Sequence, residues 1–240
     1  MSAEPDFPVK GFIETSFLDW KDHLSSVLFT GGCNFRCPFC HNSDLVLNHD
    51  RFPGIPDEQI FRHLRQFRKW VDRVVITGGE PTLQKGLPVF AERLKREGFK
   101  VKLDTNGSRP EVVKDLVEAG LIDFIAMDIK GPITAYDRWC GTAVNQDRIE
   151  ESIDFISTGP VEHEFRMTVV PFLHKEADVY EAASRVRGAK RFTVQDFVPR
   201  NTLNPAFAHV RPFSPDRMTR IRQNVEGIIQ NAQVRRTLHQ

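Results

Sequence analysis

From residue 24 onward, short apolar runs alternate with amphipathic segments, and the runs end on glycine or a polar cluster. "LSSVLFT" (24–30) stops at Gly31–Gly32, and "RVVIT" (73–77) stops at Gly78–Gly79. "KVKLDT" (100–105), "FIAMDI" (124–129), "EFRMTVVP" (164–171) and "RFTVQDFVP" (191–199) complete six strand candidates. Helical periodicity fills the gaps at 57–70, 86–98, 109–120, 146–158 and 176–188. In the first of these, Ile60, Leu64, Phe67 and Val71 recur at three-to-four spacing and Asp57 is placed to cap. A longer connection, "TAYDRWCGTAVN" (134–145), follows the fourth strand.

Strands and helices alternating at this spacing predict βα units with parallel strands. Right-handed crossovers curl such units into a barrel-like sheet. Six units fall short of an eight-stranded barrel, so the expected fold is α/β: an open, partial (β/α)6 barrel of parallel strands. A short N-terminal strand or arm precedes a core at about 22–200, and a helical cap with a helix at 214–232 occupies 201–240. No linker or composition shift divides the chain, which predicts a single domain over 1–240.

A chain of 240 residues with 40% apolar and 27% charged residues can bury one core of this kind. A formal net charge of +1 gives no electrostatic pull toward nucleic acid or an anionic membrane. The basic runs "RHLRQFRK" (62–69), "RMTRIRQ" (217–223) and "VRR" (234–236) read as solvated faces, with docking of an acidic partner as the alternative. The N-terminus lacks the apolar segment of a secretory signal. No apolar run approaches the roughly 20 residues that span a bilayer. Four cysteines with three bunched together do not resemble an extracellular disulfide framework, so a reduced, cytoplasmic protein is expected.

Polar and glycine-rich residues stand at four successive strand ends: "TGGC", "TGGEPT", "DTNG" and "MDIKG". In a barrel of parallel strands, that edge is where active sites assemble. The first leads into "GGCNFRCPFCHN" (31–42), where Cys33, Cys37 and Cys40 have the spacing C-x3-C-x2-C. Three thiolates in one loop can converge on a [4Fe–4S] cluster, holding three irons and leaving the fourth open. Cys140 is a distant candidate for a fourth ligand, or a small core residue. His41, beside Cys40, leaves a zinc site as an alternative. An iron–sulfur electron carrier is another, although a carrier normally saturates all four irons with cysteine.

The cluster loop resembles that of radical S-adenosylmethionine enzymes, whose signature is C-x3-C-x-aromatic-C, with Phe39 in the aromatic position. The resemblance implies that the open iron chelates the methionine part of S-adenosylmethionine. Reductive cleavage of the sulfonium C–S bond then yields methionine and a 5′-deoxyadenosyl radical. "GGEP" (78–81) resembles the family's motif for the methionine amino group, which implicates Gly78, Gly79 and Glu80. "DTNG" (104–107) followed by "MDIK" (127–130) resembles the strand ends of activating enzymes for glycyl radical proteins. That likeness implies a monovalent cation held by Asp104, Thr105 and Asp128, with Asn106 and Lys130 as further cofactor contacts. It makes Arg166 a contact to the methionine carboxylate and places Gln195 and Phe197 beside the adenosyl group. The sixth-strand histidine of the pyruvate formate-lyase activator has no counterpart here.

The opening "VKGFIETSFLDW" (9–20) and "CNFRCPFCHN" (33–42) resemble the longer anaerobic ribonucleoside-triphosphate reductase activating proteins. The implied function is abstraction of an α-hydrogen from a backbone glycine of a large glycyl radical enzyme. Flavodoxin or ferredoxin is the implied electron donor. A small-molecule radical enzyme of the 7-carboxy-7-deazaguanine synthase type is the alternative.

Overall fold

The computed structural model describes residues 7–229 and the backbone of residues 232–235. The chain forms two compact units. The first comprises the chain up to Asn34, Asp44–Thr105 and Glu111–Ile125; the second comprises Phe35–Ser43, Asn106–Pro110 and the chain from Ala126.

In the first unit, β1 (Val9–Ser16) runs antiparallel to β2 (Ser25–Thr30), with Phe12 opposite Leu28. The helices α1 (Ser43–Leu47) and α2 (Asp57–Phe67) follow. Strand β3 (Arg73–Gly78) then pairs parallel with β2, and β4 (Lys100–Thr105) pairs parallel with β3 after helix α3 (Leu87–Arg96). Helix α4 (Pro110–Glu118) leads to β5 (Phe124–Asp128), whose first two residues belong to this unit and whose last three belong to the second.

Helix α2 departs from its expected cap. Pro56 occupies the N-cap and Asp57 lies inside the first turn, where its charge complements the helix dipole instead of capping. The buried face is Ile60, Phe61 and Leu64, while Phe67 faces outward. Phe61 packs on Phe90 of α3 (centroids 5.2 Å apart), which packs on Phe7 (4.6 Å).

In the second unit, the connection after β5 holds a short helix, α5 (Tyr136–Cys140), which periodicity could not reveal in five residues. Helix α6 (Gln146–Thr158) is capped by the Asn145 side chain and buries Ile149, Ile153 and Ile156. Strand β6 (Glu162–Val169) pairs parallel with β7 (Phe192–Asp196), with α7 (Glu176–Arg185) between them. Helix α8 (Pro215–Glu226) begins on the side-chain cap of Ser214.

The expected helix over 214–232 is too long. It stops at Glu226, and Ala232–Arg235 form β8, parallel to β7. The C-terminal region is therefore a helix followed by a strand, because Gly227 closes the helical run and the backbone beyond it pairs with an open strand edge. Residues 1–6, 230–231 and 236–240 of the predicted arm and cap lie outside the described residues. In the basic run of α8, Arg217 and Arg220 pair with Glu176 (2.8 and 3.1 Å). In that of α2, Arg65 pairs with Glu97 (2.9 Å). No helix among the described residues is long and apolar enough to cross a membrane.

Candidate active site

In the first unit, the ends of β2 and β3 meet backbone to backbone. Gly79 N–H donates to Thr30 O (3.0 Å) and Glu80 N–H to Gly32 O (2.8 Å). A Cβ on Gly79 would be driven into the Gly32 carbonyl, and one on Gly78 (φ +121°) into the backbone of Thr30. The glycine pair is thus demanded by the loop that carries Cys33, a constraint imposed by the protein itself. The Glu80 carboxylate is buried and accepts from Thr82 N (3.1 Å), Thr82 Oγ1 (2.6 Å) and Thr105 Oγ1 (2.8 Å). It therefore ties the end of β3 to the end of β4.

Asp104 is buried on β4, with Lys102 Nζ 3.6 Å from its carboxylate. Lys102 is itself buried, donating to Asp19 O (2.7 Å) and lying over the Phe124 ring at 5.3 Å. Sequence reasoning passed over Lys102; a lysine amid "VKLD" was the available signal.

In the second unit, Cys40 N–H donates to Cys37 O (3.0 Å), closing a turn with both cysteines on it. The turn is held by the loop after β7: Asn204 N–H donates to Pro38 O (2.9 Å), and Leu203 N–H to Cys40 O (3.1 Å). His41 Nε2–H donates to Val198 O (2.8 Å) and its ring stacks on Phe197 at 6.1 Å. That bond engages one of the two ring nitrogens of His41. None of the four cysteines is disulfide-bonded. The Cys37 thiol is pulled down to about 7 by its hydrogen bond with Cys140, against the cost of burial and with help from Lys130. Burial pushes the Cys40 thiol up.

Asp128, at the end of β5, receives Arg166 Nε at 2.9 Å and Lys130 Nζ at 3.1 Å. Burial alone would raise its pKa, but the two cations hold it at about 2. Lys130 would be lowered by burial, yet the Asp128 carboxylate keeps it above its ordinary value. Arg166, 11% exposed at its side chain, thus points inward with a charged partner. Phe39 is buried and meets His174 edge-on (6.1 Å). Asn106 is also buried, and its Oδ1 accepts from Ser108 N (2.9 Å) in a local turn. Gln195 is half-buried on β7, 3.4 Å from the Thr168 hydroxyl. Phe197 is buried, with the rings of His41 (6.1 Å) and Phe207 (6.4 Å) beside it.

His174, 3% exposed, was also missed. Its Nδ1 accepts from Val170 N (3.0 Å), its Nε2–H donates to Lys130 O (2.8 Å), and its ring stacks on Trp139 at 4.7 Å. Burial lowers its pKa to about 4, so it is a neutral clamp between the ends of β5 and β6. A lone histidine after "VVPFL" gave no signal by spacing.

The donor type of the cysteine turn, thiol sulfur, suits an iron–sulfur cluster. The cysteine turn of the second unit has one thiol biased toward thiolate, and thiolates are what iron–sulfur clusters bind. The monovalent cation fits less well. Asp104 and Asp128 face Lys102, Lys130 and Arg166, so the electrostatic demand behind that expectation is met by side chains. Among the described residues, no group of three or more His, Cys, Asp or Glu is gathered to hold a single ion.

Residues 27–183 match the family described as the radical SAM superfamily. The chain is 35% identical over 204 residues to a provisionally assigned glycyl-radical enzyme activating enzyme of Methanocaldococcus jannaschii, covering 83% of each chain. It is 26% identical over 202 residues to a 7-carboxy-7-deazaguanine synthase of Thermococcus kodakarensis, covering 76% of each. Among solved structures, Streptococcus suis SuiB bound to the precursor peptide SuiA superposes with a TM-score of 0.69 at 17% identity, over 87% of this chain. This chain spans 48% of that one, and the likeness is one of fold. The alternating α/β architecture, the three-cysteine loop and these matches define an enzyme class. The chain belongs to the radical SAM superfamily. The expected α/β fold, an open partial barrel of mostly parallel strands, is the fold of that superfamily.

Proposed function

We propose that this single radical SAM domain is an activase that generates a glycyl radical on a partner enzyme, by our reading an anaerobic ribonucleoside-triphosphate reductase. The likeness to a provisionally assigned activase over 83% of both chains supports this most strongly. The "DTNG" and "MDIK" strand ends support it as well.

In this reading Cys33, Cys37 and Cys40 hold a [4Fe–4S] cluster, which supplies the electron that cleaves S-adenosylmethionine. Gly78, Gly79 and Glu80 receive the methionine amino group. Asp128 holds Arg166 and Lys130 as a preformed cationic pair for the methionine carboxylate, with Phe39, Asp104, Asn106 and Gln195 as further contacts. A cation at Asp104, Thr105 and Asp128 would join charge pairs already in place. A flavodoxin or ferredoxin donates the electron.

The test is anaerobic incubation of reconstituted protein, S-adenosylmethionine and reductant with the candidate reductase. A glycyl EPR doublet on the reductase is expected, and Cys37→Ala should abolish both the doublet and 5′-deoxyadenosine. S-adenosylmethionine cleavage without a doublet, together with turnover of a deazapurine precursor, would move the assignment to the synthase relatives.

A further inference from the structure

Among the described residues, three that are not glycine hold a left-handed backbone: Asp22 (φ +64°), Asn201 (φ +53°) and Phe172 (φ +67°). Aspartate and asparagine tolerate that region, because their short polar side chains can bond locally to the backbone. Phenylalanine has no such bond to make, and its Cβ crowds the following carbonyl. Phe172 is also 90% exposed, the most of any large apolar residue described. The fold therefore bears strain at this position and gains no burial from it.

The strain is imposed from both ends of the turn Val170–His174, which follows β6. His174 N–H donates to Val170 O (2.8 Å), and Val170 N–H donates back to His174 Nδ1 (3.0 Å). Pro171 is buried, and its ring fixes the backbone just before the tip. His174 Nε2–H reaches Lys130 O (2.8 Å), while its ring stacks on Trp139 (4.7 Å) and meets Phe39 edge-on (6.1 Å). Both ends of the turn are buried and bonded, and its tip carries the Phe172 ring into solvent. Strain that the surrounding structure holds in place in this way collects at functional positions.

The tip stands at the strand-end edge of the second unit. It follows β6, whose Arg166 meets Asp128, and it is tied to Lys130, the other cation on that carboxylate. A small ligand is enclosed by a concavity, and a ring so exposed encloses nothing. A ring held still on a short turn suits insertion into an apolar pocket of another protein. Aromatic anchors of this kind lose little freedom on docking and carry much of the binding energy. On the function proposed above, the protein that must reach this edge is the glycyl radical enzyme.

We propose that Phe172 is a docking anchor for the partner enzyme, its ring filling an apolar pocket on that enzyme's surface. The proposal rests on the activase reading and adds the surface by which the partner is held.

The test uses cluster-loaded enzyme, S-adenosylmethionine, reductant and the candidate reductase, and compares wild type with Phe172→Gly, Phe172→Asn and Phe172→Leu. The rate of glycyl EPR doublet formation is titrated against reductase concentration. In Phe172→Gly and Phe172→Asn, the concentration giving half the maximal rate should rise roughly tenfold or more. The rate at saturating reductase, and 5′-deoxyadenosine formation without reductase, should stay as in wild type. Phe172→Leu, still apolar, should fall between. Glycine and asparagine accept the backbone that phenylalanine resists. Both variants should therefore unfold at the same urea concentration as wild type or a higher one.

An unchanged half-maximal concentration, with the doublet still formed, overturns the proposal and leaves the activase reading standing. A lower urea midpoint in both variants makes Phe172 a residue of the fold and overturns the proposal too. A wild-type dimer that sediments as a monomer in Phe172→Gly makes a second copy the occupant, with the same consequence. No doublet with wild type overturns the activase reading and this proposal with it.

Discussion

One junction of candidate residues in each unit can be set against the other, because the two are made by different means. In the first, Thr30–Gly32 and Gly78–Glu80 meet through main chain, and the glycines matter for what they lack. In the second, Asp128, Lys130, Arg166, Cys37, Cys140 and His174 meet through side chains whose charges and protons set one another. The first arrangement should break on steric change and ignore pH. The second should tolerate small steric change and follow pH.

The largest expected effect is steric. Gly79→Ala forces a methyl into the Gly32 carbonyl, and both partners are backbone, so neither can rotate away. Overpacking of this kind costs about 3 kcal/mol or more. Urea denaturation of the metal-free protein under reducing conditions should show the loss, nearly constant from pH 7 to pH 5. A cost below about 1 kcal/mol would mean that the β2 and β3 loops shift easily, and the contrast between the units would lose its first half.

Acid titration should act on the second unit. His174 is held neutral by burial, its pKa lowered from 6.5 to about 4. The unfolded chain takes up this proton first, so the contribution is complete above pH 6.5 and lost as pH falls toward 4. About 3 kcal/mol is at stake. Burial lowers His41 and His163 as well, in the same window. The difference between wild type and His174→Gln isolates His174: the variant should lose clearly less stability between pH 6.5 and 4.5. Parallel curves would show that His174 does not titrate with unfolding.

Asp128 titrates lower. Its folded value of about 2 lies below the ordinary 3.8, so its contribution is present above pH 4 and lost as pH falls toward 2. The carboxylate side chain is 33% exposed, which limits the contribution to about 1–2 kcal/mol. Arg166→Ala should flatten this lower limb and leave the His174 limb intact. Flattening of both limbs would mean that the two groups act as one network.

Legibility in the sequence follows the same division. Strand and helix order was readable because hydrophobic period survives in any element of six residues or more, as β2, β3 and β4 illustrate. The strand-end glycines were readable as a motif, but their physical reason was not, since apposition to Thr30–Gly32 is a tertiary fact. Cys33, Cys37 and Cys40 were readable because their spacing is local. Lys102, His174 and the Cys37–Cys140 pair were not: each depends on a partner brought near by folding, and the last spans about a hundred residues. Strand β8 escaped because helix α8 and the segment after it share one polar, weakly periodic composition, and the pairing with β7 is what makes it extended.

The smallest effect separates cofactor contact from fold. Gln195 is half-buried on β7, and among the described residues its side chain accepts a long 3.4 Å hydrogen bond from the Thr168 hydroxyl. A side chain so weakly engaged contributes within about 0.5 kcal/mol to stability. Gln195→Ala should therefore unfold at the same urea concentration as wild type. If Gln195 flanks the adenosyl group, the same variant should bind S-adenosylmethionine several-fold more weakly by equilibrium dialysis of the cluster-loaded protein. Unchanged affinity would remove Gln195 from the cofactor contacts. A marked loss of stability would instead place it with His174 and Asp128, among the side chains that hold the second unit together.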